Sequence, residues 1–151
     1  MKELLKELSE TPGVSGDESE IRELIRGKLE NHADSVETDN FGNLVARKGS
    51  GDKKLMIAAH MDQIGLTVMN IDENGFISFS KIGGVTIQSL LNQRVTVHTS
   101  EGEVSGVIGM KPPHLLDKEK REELPDKEKL FIDVAAEDKE EVEEIGINIG
   151  D

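Results

Sequence analysis

A chain of 151 residues with 31 Asp and Glu against 18 Lys and Arg carries a formal charge of -13, a field that repels phosphate backbones and anionic lipid and so argues against nucleic-acid and membrane partners. The absence of Cys removes disulfides, thiolate metal sites and Cys nucleophiles, and no apolar run approaches the roughly 20 residues of a membrane span, so a cytoplasmic address is expected. With 35% hydrophobic and 32% charged residues the composition fits a folded protein with a heavily charged surface, and with four Phe and no Trp or Tyr its core has to be built from Leu, Ile and Val.

Leu4, Leu5 and Leu8 share one face at helical spacing, so the chain opens with a predicted helix, which the stretch TPGVSG breaks. A second helix follows. Ser15 with Glu18 three residues later has the form of a capping box, and Ile21, Leu24, Ile25 and Leu29 make an apolar stripe that ends near Asn31. SVETDNFGNLVAR predicts two short strands about a turn at Asn40–Asn43, where Gly42 and Asn43 tolerate positive φ at little cost. From Leu55 to Ala59 the chain is apolar at every position, the pattern of a strand buried on both faces of an α/β sheet. Beyond Gly65 the texture changes to short β-like runs (LTVMNI, FISFSK, RVTVHT, EVSGVIG) divided by turns, which predicts a small β barrel or sandwich. KPPHLLDKEKREELPDKEK reads as a linker or exposed excursion, stiffened at its start by Pro112 and Pro113. LFIDVAA is a further strand, and DKEEVEEIG a short helix capped by Asp138 and closed by Gly146.

His60 stands where the apolar run ends, the place in an open α/β sheet where ligand and catalytic groups gather. Met61 separates it from Asp62, and an extended backbone directs both side chains to one side. A neutral imidazole is a good zinc or cobalt ligand, and a carboxylate accepting its other N–H fixes the tautomer. The same pair also fits a His and an Asp in a solvated turn, and the tripeptide alone leaves both readings open. His32 reads as a surface residue near a helix end, and His98 as an outward or cross-strand residue of a β run. His114, in KPPHLL, is the more arguable candidate. The acidic runs read as solvated faces with i,i+4 pairing rather than as a metal or glycosidase constellation.

In order along the chain, GVSGDESEIR, DNFGNLVA, AAHMDQIGLTV, GVIGMKPPHLL and LFIDVAAEDKEEVEEIGINIGD resemble the N-terminal part of the dinuclear-metal aminopeptidases of the tetrahedral and glutamyl aminopeptidase type, a family also labelled cellulase M or endoglucanase. The resemblance implies an α/β fold, in which a partial α/β/α zinc-peptidase catalytic domain (residues 1–66) joins a β-rich, barrel-like dimerisation domain (67–151). His60 matches the family's first metal ligand and Asp62 the carboxylate that orients it, while Gln63 stands where many relatives have Glu. The implied cofactors are two divalent ions, zinc or cobalt, with at most one ligand in this chain. The implied substrates are short peptides cut at their N-terminal peptide bond, and the β-rich domain is expected to carry homo-oligomer contacts. Because the resemblance covers only the N-terminal half of the family, this chain alone is expected to be inactive. The alternatives are a naturally short, non-catalytic assembly module pairing with a full-length relative, and, by family label only, an endoglucanase.

Overall fold

The computed structural model describes residues 1–110 and 130–151, so the excursion over 111–129, with His114, lies outside the described residues. The chain is mixed α/β and divides into two compact units, Met1–Ile64 and Gly65–Asp151.

The first unit holds α1 (Lys2–Glu10), α2 (Ser19–Glu30) and an antiparallel hairpin of β1 (Ser35–Thr38) and β2 (Leu44–Arg47). The end of α2 near Asn31 and the turn between the two strands fall where the sequence reading put them, but α2 begins three residues later than a Ser15 cap would start it. The expected capping box does not form: the N-cap of α2 is Glu18, without a side-chain cap bond. A left-handed Gly16 (φ +100) stands between Ser15 and the helix, and turns the Ser15 hydroxyl away from the α2 amides. Two arginines of α2 hold the hairpin instead. Arg22 Nε donates to Gly42 O at 2.9 Å, and Arg26 donates to Val36 O at 3.3 Å and to the Thr38 hydroxyl.

The expected strand from Leu55 to Ala59 is not formed, and this is the largest departure from the sequence reading. The segment belongs to no strand, and Leu55, Met56 and Ile57 are 88%, 86% and 88% exposed. A strand is stable only when neighbouring strands take up its backbone N–H and C=O groups, and among the described residues none lies beside this run. Ile21 is the one buried aliphatic side chain among the described residues of the unit.

The second unit has the opposite character. Strands β3 (Gly65–Ile71), β4 (Ile77–Ile82), β5 (Arg94–Thr99), β6 (Gly102–Met110) and β7 (Leu130–Asp133) form an antiparallel sheet in the order β3-β4-β7-β6-β5, curled as a half-barrel. Alternation places Ile77, Phe79, Val97, Ile108, Leu130 and Ile132 on its buried face. In β3 strict alternation would send Val68 and Ile71 to opposite faces. A bulge between Val68 and Asn70 leaves Met69 unpaired and resets the parity, so both are buried. α3 (Lys139–Glu144) adds Val142 to the core and the following turn adds Ile147, both fully buried. Burial of each such side chain contributes about 1.5–3 kcal/mol. The last residues line the outer edge of β3, with Val68 N–H donating to Asp151 O at 2.8 Å and Gly150 N–H to Val68 O at 3.0 Å.

Candidate functional site

The segment that carries His60 is held by the loop between α1 and α2. Gly13 lies against Ile21, where a Cβ would fall 2.5 Å from Ile21 Cγ2, so only glycine permits the approach. Its carbonyl accepts from Gln63 N–H at 2.8 Å, and Val14 pairs with Gln63 as a parallel bridge. The turn beyond is closed by Asp17 N–H on Val14 O at 2.8 Å and by Gly16 N–H on Glu18 Oε1 at 2.7 Å. The loop thereby presents Ser15, whose hydroxyl donates to Asp62 Oδ2.

The other carboxylate oxygen faces the histidine. His60 Nδ1 lies 3.1 Å from Asp62 Oδ1 and 3.0 Å from the Asp62 carbonyl oxygen. Both are acceptors, so Nδ1 carries a proton, and in the neutral ring this tautomer leaves the Nε2 lone pair free. The His60 side chain is 85% exposed, so Nε2 opens outward from the described residues. The Ser15 hydrogen bond, opposed by partial desolvation and reinforced by His60, holds the Asp62 carboxyl below its ordinary range, so it is an anion at neutral pH.

The two sequence-predicted site residues therefore lie together, in hydrogen-bond contact. Their donor chemistry fits one ligand of a metal site, a neutral imidazole with an oriented Nε2, rather than a whole site. Among the described residues no group of three or more His, Asp or Glu is placed to hold a metal ion. His98 lies across the strand pair from Glu103, with Nδ1 3.6 Å from Oε1, and His32 is exposed beyond the end of α2. Lys139 and Glu143 form the i,i+4 pair expected of a solvated helix face, at 3.6 Å. Ser15 is the participant that the sequence reading missed, because its spacing to Glu18 had the form of a cap.

The sequence profile of the M42 glutamyl aminopeptidase family matches residues 42–151, and a second profile, described as AMPT, matches residues 1–24. The chain is 42% identical over 150 residues to the lysyl aminopeptidase of Pyrococcus furiosus, an alignment covering 98% of this chain and 43% of that enzyme. The crystal structure of a TET aminopeptidase from a marine-sediment Thaumarchaeota archaeon superposes with a TM-score of 0.93 at 37% identity, covering 99% of this chain and 42% of that one. The TET1 peptidase of Pyrococcus horikoshii, which assembles into a tetrahedron or a large octahedral shell, superposes at 0.86 with 37% identity, covering 98% and 44%. The chain thus spans under half the length of the curated relatives it matches. No helix among the described residues is long and apolar enough to cross a membrane.

Proposed function

The chain belongs to the M42 glutamyl aminopeptidase family, whose members are metal-dependent hydrolases, and from that premise we propose that it forms the N-terminal portion of an aminopeptidase with His60 as one metal ligand. On this reading residues 1–66 are the first segment of the catalytic α/β domain, and 67–151 are a β-rich assembly domain through which copies associate. The observation that carries it is the His60–Asp62 pair, which keeps the ring proton on Nδ1 and leaves Nε2 open.

Two divalent ions, zinc or cobalt, would supply an activated water and a polarised peptide carbonyl at the N-terminal bond of a short peptide. The contribution of this chain is narrower. His60 offers one imidazole nitrogen, and Asp62 fixes its tautomer and ring plane and stays anionic beside it. The remaining ligands and the general base would come from the rest of a family-length protein.

In a protein of that length, His60→Ala is expected to lower aminopeptidase activity by more than about 100-fold. Asp62→Asn is expected to cost about 10–100-fold, the usual loss when the partner of a ligating histidine is removed. Activity retained by the His60→Ala protein, at unchanged metal content, would overturn the assignment.

A second reading, a non-catalytic assembly module, is favoured by one contrast: the second unit has a full apolar core, whereas the described part of the first buries only Ile21 among its aliphatic side chains. Co-purification separates the two. A stable complex with a full-length relative, inactive in its own right, supports the module. Activity that returns when the remaining family length is supplied as a second polypeptide supports the enzyme.

A further inference from the structure

Building on the assignment of His60 as a ligand, we propose that Ser15 is a positioning residue, acting through Asp62 to hold the His60 ring with Nε2 presented for coordination. Asp62 has one oxygen on each side of the relay: Oδ1 faces His60 Nδ1, and Oδ2 accepts from the Ser15 hydroxyl. The Asp62 side chain is 38% exposed, and rotation about the bond to a terminal carboxylate has broad, shallow preferences. With His60 as its single partner the carboxylate plane would be free to turn, leaving the ring only the Asp62 carbonyl oxygen at 3.0 Å. A second, fixed donor on the far oxygen sets that plane, and through it the plane of the ring.

Ser15 can serve as that fixed point because its loop is anchored by contacts other than the Ser15 hydroxyl. Gly13 sits in contact with buried Ile21, the Gly13 carbonyl holds Gln63 N–H, and Glu18 takes the amide of left-handed Gly16. The hydroxyl is not engaged in capping α2, whose N-cap is Glu18. The contact spans 47 positions of sequence, so it ties the helical segment to the histidine segment instead of closing a local turn.

The test is the nitrogen NMR signature of His60 in the metal-free 151-residue chain, read at about pH 8, above the ordinary imidazole range. In the wild-type chain Nδ1 is expected to report as protonated and Nε2 as bare, with a wide shift difference between them. Ser15→Ala is expected to narrow that difference, as a ring held less firmly by the carboxylate averages between tautomers, and Ser15→Thr, which keeps the hydroxyl, to preserve it. A wild-type signature in Ser15→Ala overturns the proposal, and so does equal loss in both variants, which would mark Ser15 as a packing residue. Because no metal is present, failure here leaves the ligand assignment standing, whereas that assignment fails separately if a full-length His60→Ala protein stays active.

Discussion

At the scale of single residues, several carboxylates among the described residues accept hydrogen bonds from backbone amides, Asp72 and Asp133 among them. Asp39 is the clearest case outside the candidate site. Its Oδ1 accepts from Phe41 N–H and Asn43 N–H, each at 2.9 Å, and its Oδ2 from Asn43 Nδ2 at 2.9 Å, which closes the turn between β1 and β2. The Asn43 side-chain bond, with the backbone bonds behind it, lowers the Asp39 pKa against a small desolvation effect. A carboxylate depressed in the folded state stabilises that state fully above its unfolded pKa, and the contribution disappears as pH falls through the folded value. The amide proton shifts of Phe41 and Asn43 should therefore titrate with a midpoint below the ordinary Asp range, and should show no such step in Asp39→Ala. A midpoint at the ordinary value would mean the turn is held by its backbone alone. The contact between His60 and Asp62 was legible from sequence because two positions of an extended chain already bring side chains to one face, although that spacing alone left their role open. Ser15 was not, because its partner lies 47 residues away and no local rule reports such a contact.

At the scale of elements, the strands of the second unit were legible because alternation and turn residues agree at each of them, whereas the bulge at Met69 shows only in the register. Helix α3 was legible for a different reason. Six residues are too few to hold a helix by propensity, so its ends decide. Asp138 Oδ1 accepts from Glu141 N–H at 3.0 Å, while Glu141 Oε2 reaches back to Glu137 N–H at 2.7 Å. The helix carries Val142 and leads into Ile147, both fully buried, so fraying would open the core behind the sheet. Asp138→Ala should lower stability by about 1 kcal/mol and Asp138→Gly by only a few tenths. Denaturant unfolding, followed by the methyl resonances of Val142 and Ile108, measures both. Equal losses for the two variants would show that the aspartate does more than cap.

At the scale of the whole molecule, the two units differ in what they bury. The second has a continuous core, while the described residues of the first leave Leu5, Leu55, Met56 and Ile57 more than half exposed. The sequence reading placed Leu55–Ala59 inside a sheet, and its apolar pattern is that of a strand covered on both faces. The physical reason it stays unpaired is the absence of neighbours among the described residues, not a defect of the segment itself. If the run becomes a buried strand in a protein of full family length, one substitution should have two different effects. Ile57→Asp should leave the unfolding free energy of this chain within about 0.5 kcal/mol, as for an ordinary surface change. In the family-length protein the same carboxylate would be buried without a partner, a far larger penalty, and folded yield should collapse. Hydrogen exchange gives the complementary readout: the amides of residues 55–59 should exchange freely in this chain and become protected when the remaining length is supplied as a second polypeptide. A family-length protein that tolerates Ile57→Asp, or amides that stay unprotected in the reconstituted pair, would place this run outside the sheet and leave His60 without the strand end proposed to deliver it.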